Sequence, residues 1–290
     1  MSELLTKPYA TMRVLDQFGI RAKKKYGQNF LIDEGIVNGI VEAAGVTEDD
    51  CVLEIGPGIG TMTQALSAAA GHVVAVEIDT SLEPVLAATL DECPNVTVLF
   101  QDILKTDLSA LCSRFNQGRP MKCVANLPYY ITTPILLQLL KQKNCFDNIT
   151  VMIQKEVAER ICATQEDKEY GALSLAVQYY ARPEAVLTVP PRCFIPRPGV
   201  DSQVLRLNAY TEPPVDADEE FMFAIIRAAF NQRRKTLANA LSHGLSFEGR
   251  TFAREDVEKA LSELSLDKAV RGEKLSLAQF AALSKALKVC

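Results

Sequence analysis

The chain has 290 residues, 48% of them hydrophobic and 23% charged, which excludes a disordered or fibrous protein and allows a core without disulfide or metal staples. It contains no run of about 18 apolar residues, which excludes a helical membrane span. The formal net charge of -5 argues, as an average, against a nucleic-acid partner.

In chain order, residues 1–34 come first. They lack an apolar h-region, and Glu3 and Asp16 are wrong for an Arg-rich transit peptide, so a cytoplasmic protein is expected. The first 30 residues carry six basic and two acidic side chains, with Arg21, Lys23, Lys24 and Lys25 packed together. From residue 35, short β-branched runs alternate with patterns of helical period. Strands are expected at 51–55, 72–78, 96–100, 121–125, 149–154, 184–189 and 203–208, and helices at 35–44, 61–70, 82–92, 108–115, 133–142, 155–164 and 172–181. This alternation predicts a parallel, doubly wound α/β domain over 35–210. A stretch with two prolines and five acids, TEPPVDADEE (211–220), reads as a linker. Residues 217–290 show only the helix period and are expected to form a small all-helical domain. A second basic cluster, Arg233, Arg234 and Lys235 with Arg227, has no acid between 221 and 243. Each cluster fits either a solvated face or contacts to phosphates.

The eight cysteines form no CxxC pair, and most sit inside apolar runs, so they read as free thiols. The two histidines, His72 and His243, lie too far apart in sequence to suggest zinc chemistry or a Ser-His-Asp triad, and no metal is expected.

The segment EIGPGIG (54–60) joins a strand to a helix, the setting in which a glycine-rich loop lets a ligand approach backbone and helix N-terminus. A dinucleotide fingerprint would need glycine at 61, where Thr61 stands, so a nicotinamide dehydrogenase is disfavoured. S-adenosylmethionine, with a sulfonium and an amino group, tolerates the carboxylate of Glu54 beside Gly56 and Gly58. Glu77 ends the second strand, 21 residues after Gly56, where an acid can accept both hydroxyls of a ribose. Asp102 follows the third strand; its carboxylate can take an adenine amino group while Ile103 supplies a backbone donor. A lone acid at a strand end is usually a cap, but three at successive strand ends of one sheet edge favour an adenosine ligand. Asn126-Leu127-Pro128-Tyr129 follows the fourth strand on that edge. An exocyclic base amine is a poor nucleophile because its lone pair is delocalised. The Asn126 amide oxygen and the Leu127 carbonyl could draw that nitrogen toward tetrahedral geometry. Pro128 stiffens the loop, and Tyr129 offers a ring for an extruded base.

YGQNFLID (26–33), EIGPGIG, VEID (76–79), QDIL (101–104), NLPYYITTPIL (126–136), QKEVAERICA (154–163), YGALSLAVQYY (170–180), FIPRPGVDS (194–202) and FNQRRKTLANAL (230–241) together closely resemble the bacterial small-subunit ribosomal RNA adenine dimethyltransferase family (KsgA). The resemblance implies a class I methyltransferase. Such an enzyme moves four methyl groups from S-adenosylmethionine to two adjacent adenosines in a hairpin loop near the 3′ end of 16S rRNA, within an immature small ribosomal subunit, and a monomer is expected. By position it implies Asn29, Leu31, Gly56, Glu77, Asp102 and Asn126 as cofactor contacts and Phe194 as the ring covering the second face of the flipped base. Arg197 and Gly199 depart from the family's usual proline and lysine. A macrolide-resistance methyltransferase acting on large-subunit RNA shares these site motifs, while the NQRRK segment and the C-terminal domain favour the small-subunit enzyme. A mainly structural role in ribosome assembly is the reading from another class, disfavoured by the intact Asn126, Tyr129 and Phe194.

Overall fold

The computed structural model describes residues 5–23, 27–142 and 144–289, so Lys24 and Lys25 of the expected basic segment lie outside the described residues. The strands are β1 (Phe30–Leu31), β2 (Cys51–Ile55), β3 (His72–Glu77), β4 (Val96–Phe100), β5 (Met121–Asn126), β6 (Phe146–Gln154), β7 (Ala181–Val189), β8 (Phe194–Ile195), β9 (Ser202–Ala209), β10 (Ser246–Phe247) and β11 (Arg250–Thr251).

Seven of them form one sheet in the order β4-β3-β2-β5-β6-β9-β7. The five from β4 to β6 are parallel, as their β-branched runs predict. Val52, Leu53, Val73, Val74, Cys123 and Val124 are completely buried, because crossover helices cover a parallel sheet on both faces. The sheet departs from the parallel pattern at its far edge, where β9 runs antiparallel to both β6 and β7. Residues 190–201 hold a short 3-10 turn and β8 but no crossover helix, and a chain without one returns antiparallel. The reversal carries the first residue of β9 to the sheet edge where the parallel strands end. Strand order also switches between β2 and β5, opening the crevice in which α/β sheets bind ligands.

Two short elements were not legible in the sequence within this part. The helix Pro8–Gln17 starts with proline in its first turn, and β1 pairs antiparallel with β8, setting Leu31 opposite Phe194. No described helix is long and apolar enough to cross a membrane.

The chain forms two compact units, residues 1–158 with 181–211, and residues 159–180 with 212–290. Residues 159–180, expected in the α/β domain, thus group with the C-terminal helices. The Tyr170 hydroxyl donates to the Leu275 carbonyl at 2.9 Å, Tyr179 meets Phe223 edge-on at 5.2 Å, and the Tyr180 hydroxyl bonds Glu219. This second unit is not purely helical. β10 and β11 form a minimal antiparallel pair turned at Glu248 and Gly249, both at positive φ, and two-residue strands leave no periodic signal.

Candidate active site

The loop after β2, the ends of β3 and β5, the turn after β4 and residues 27–30 enclose one cleft, of about 860 Å³ when the space open to solvent is included. Asn29, Gly56, Gly58, Glu77, Asp102, Ile103, Asn126, Leu127 and Tyr129 all line it, so most of the expected site converges. Leu31 lines instead an adjoining recess of about 360 Å³, which shares Asn29, Gly56, Gly58 and Asn126 with the cleft. Phe194 lines neither. Its ring is 1% exposed and packs in the core with Leu31, Val37, Met152 and Val204, so the expectation of a base-stacking surface there is corrected. Two further aromatics line the cleft with Tyr129, the buried Phe30 and the 57% exposed Tyr130, which adjoins the NLPY motif.

Backbone shape makes the loop. Gly56, Gly58 and Gly60 take φ of 73°, 61° and 95°, values that side chains disfavour, and a Cβ on Gly58 would stand 3.3 Å from the Phe30 ring. The buried Glu77 carboxylate holds this loop to the strand ends: one oxygen accepts the Asp79 N–H at 2.8 Å and the other the Gly58 N–H at 3.3 Å. Burial raises its pKa against the opposing effect of those donors. Each oxygen keeps a lone pair for a ligand hydroxyl. Asp102 does two jobs. It caps the turn at 103–105 by accepting the Leu104 N–H at 3.0 Å, and it forms part of the cleft wall.

Asn126 is oriented before any substrate arrives. Its Nδ2 donates to the Asn29 carbonyl at 3.2 Å, while the Asn29 amide donates to the Gly27 carbonyl at 3.0 Å. With the amino end held, Oδ1 is the available acceptor, and among the described residues no donor reaches it. The Leu127 N–H donates to the Met152 carbonyl, and the Pro128 carbonyl accepts from the Ile131 N–H and the Thr132 hydroxyl, fixing the loop at both ends. The Tyr129 hydroxyl meets the Ser202 hydroxyl at 2.7 Å.

The basic residues divide. Lys23 binds Asp79 Oδ1 at 2.8 Å and the Ser81 hydroxyl at 2.7 Å, and Gln28 donates to the other Asp79 oxygen. Burial would raise the Asp79 pKa, but Lys23, Ser81 and Gln28 outweigh it and hold the carboxyl below its ordinary range. Lys23 and Gln28 are therefore tied through Asp79 to the rim of the α/β sheet, which corrects the expected phosphate contact of Lys23. Arg233 is likewise engaged, with Glu273 at 2.6 Å and the Lys168 carbonyl at 2.7 Å. Arg21, Arg234 and Lys235 stay exposed.

The sequence marks Glu54 only as a strand-end acid beside the glycine loop. Glu54 lines the recess fully buried, and among the described residues neither oxygen has a hydrogen bond of good geometry, although the Thr63 hydroxyl of the following helix is near enough to act on it. Burial, opposed by the Thr63 hydroxyl and reinforced by the charge of Glu77, pushes its pKa up from 4.5 to about 8. The folded state thus keeps a proton that the unfolded chain releases above its lower pKa. The contribution is fully present below about pH 4.5 and is lost as pH rises to about 8, at up to about 1.4 kcal/mol per pH unit. Glu54→Gln should abolish this component. Urea denaturation across that range should show the variant gaining on the parent by on the order of 1 kcal/mol per pH unit; parallel profiles would mean that Glu54 is ionised throughout.

The sheet order, the loop and the carboxylates at successive strand ends define a class I S-adenosylmethionine-dependent methyltransferase. The cleft suits that cofactor, since three glycines at positive φ let a ligand approach the loop backbone and the acceptors of Glu77, Asp102 and Asn126 line its wall. The model of the family described as ribosomal RNA adenine dimethylase matches residues 19–288, and the chain belongs to that family. The ribosomal RNA small subunit methyltransferase A of Lachnoclostridium phytofermentans is 50% identical over 282 residues, 97% of this chain and 96% of that one. Of solved structures, a dimethyladenosine transferase from Plasmodium falciparum superposes with a TM-score of 0.72 at 26% identity, covering 88% of this chain and 95% of that one. The 23S rRNA methyltransferase ErmE superposes at 0.68, also at 26% identity, covering 90% of this chain and all of that one. Fold alone therefore does not separate small-subunit from large-subunit enzymes, whereas the 50% identity does favour the former.

Proposed function

We propose that this chain dimethylates two adjacent adenosines in the hairpin loop near the 3′ end of 16S rRNA, acting in the cytoplasm as a monomer on an immature small subunit. The observation that carries this reading is the Asn126 amide, held by the Asn29 carbonyl so that its oxygen is free at the cleft. When bound, S-adenosylmethionine supplies a methyl group activated by its sulfonium. Glu77 accepts from its ribose, Asp102 and Ile103 hold its adenine, and Asn29, Leu31, Gly56 and Gly58 shape the rest of the cleft and its recess. Asn126 Oδ1 and the Leu127 carbonyl accept from the target amine, localising the nitrogen lone pair. An amide has no useful pKa near neutrality, so Asn126 orients the amine and takes no proton. Tyr129 stacks on the extruded base, and Arg21, Arg234 and Lys235 contact phosphates.

The test uses small subunits from a strain lacking the modification, incubated with the purified chain and S-adenosylmethionine. Mass spectrometry of the 3′-terminal RNA fragment should then show dimethyladenosine at two neighbouring positions. Unmodified adenosine there, or modification of large-subunit RNA instead, would overturn the reading.

A further inference from the structure

Tyr129 sits in the cleft on a loop that a single strand end supports, and a ring meant to stack on a base must keep its plane. Backbone bonds hold the loop at Leu127 and Pro128 but leave rotation about the Tyr129 side-chain bonds untouched. The only hydrogen bond recorded for the ring among the described residues is its hydroxyl to Ser202 Oγ at 2.7 Å. Ser202 is completely buried at the start of β9, in register with Gln154 of β6 and Val189 of β7, so two neighbouring strands fix its position. Because β9 runs antiparallel to β6, its first residue arrives at the edge where β5 delivers Asn126, which pairs with Met152 two residues before Gln154. A serine 73 residues away in sequence thereby grips the tip of the ring. Burial also raises the Tyr129 pKa, keeping the hydroxyl neutral and able to serve as donor or acceptor.

The geometry points to Ser202 as a positioning residue that sets the plane of the Tyr129 ring for the target adenine through the hydroxyl–hydroxyl bond. This inference rests on the proposed stacking by Tyr129. It also assigns a task to the antiparallel strand: a parallel strand in its place would present its last residue, and not its first, at that edge.

The experiment is a double-mutant cycle on the single-turnover rate of methyl transfer, at saturating cofactor and RNA and at a temperature where every variant is folded. Ser202→Ala and Tyr129→Phe each remove one end of the bond and should each slow transfer about 5- to 10-fold, with the double variant no slower than either. Ser202→Thr, which keeps the hydroxyl, should restore most of the rate, and cofactor affinity should stay unchanged throughout. A full rate in Ser202→Ala, or losses that multiply in the double variant, would overturn the inference, as would a loss in Ser202→Ala that disappears once unfolded protein is accounted for. Tyr129→Ala separates the two levels. If it loses activity while Tyr129→Phe and Ser202→Ala do not, stacking stands and the positioning role fails; if it too is fully active, the stacking reading fails.

Discussion

Asn126→Ala should lower the single-turnover rate of methyl transfer by about 10²-fold or more, in a protein that still folds, with a smaller effect on cofactor affinity. An exocyclic amine must give up conjugation with its ring before its lone pair can attack, so acceptors that draw the nitrogen toward tetrahedral geometry act in the transition state far more than in the ground state. Such an acceptor is worth most when it needs no reorganisation, and the Asn29 carbonyl holds the Asn126 amide by its amino end at 3.2 Å. That hydrogen bond supplies a sharper comparison. Asn126→Asp keeps acceptors at the same place but loses the donor and sets a carboxylate oxygen against the Asn29 carbonyl. Its rate should therefore fall as well, although the side chain is nearly isosteric. Rapid-quench measurements at saturating cofactor check both variants. A normal rate in Asn126→Ala would remove the amide from the chemistry, and a normal rate in Asn126→Asp would show that the bond to Asn29 contributes nothing to it.

The parallel strands could be read directly because buried β-branched runs between helical patterns have few other readings, and β2 and β4 begin and end at the expected residues. Strand-end polar residues were equally accessible, since topology alone brings Glu77, Asp102 and Asn126 to one edge. What escaped depends on direction or distance along the chain. A run such as QVLRLN specifies a strand but not which way it points, so the reversal of β9 and the arrival of Ser202 beside Tyr129 had no local signal. A basic cluster likewise does not disclose its partners: Lys23 meets Asp79, 56 residues away, and Arg233 meets Glu273, 40 residues away. Glu54 shows a third kind of blindness. Its motif marks it as an acid near a ligand loop, but only packing reveals that the carboxyl is fully buried. The helical pattern at 172–181 was visible, whereas the body it joins is decided by Tyr170, Tyr179 and Tyr180 meeting residues 39 to 105 positions on.

Phe194→Ala should destabilise the protein by about 3 to 5 kcal/mol, a large share of the about 5 to 15 kcal/mol that holds a folded domain together. The ring is 1% exposed and meets the core residues Leu31, Val37, Met152, Val189 and Val204, so truncation leaves a cavity among side chains from strands and helix that cannot all collapse into it. A ring that covered a flipped base would behave differently. Its loss would slow methyl transfer at constant stability, and Phe194→Tyr would be nearly silent because the face of the ring survives. For a core ring the tyrosine variant is harmful, since its hydroxyl enters an apolar cluster and costs about 1 to 3 kcal/mol if it finds no partner. Phe194→Leu should then be the mildest of the three, keeping apolar volume without adding a polar atom. Urea denaturation of the three variants, paired with cofactor affinity and single-turnover rate measured well below their melting temperatures, decides the matter. Stability falling in the order Leu, Tyr, Ala with rates nearly intact in the folded fraction places Phe194 in the core. A rate lost in Phe194→Ala at unchanged stability would instead mean that the β1–β8 pair opens when substrate binds and releases the ring to the cleft.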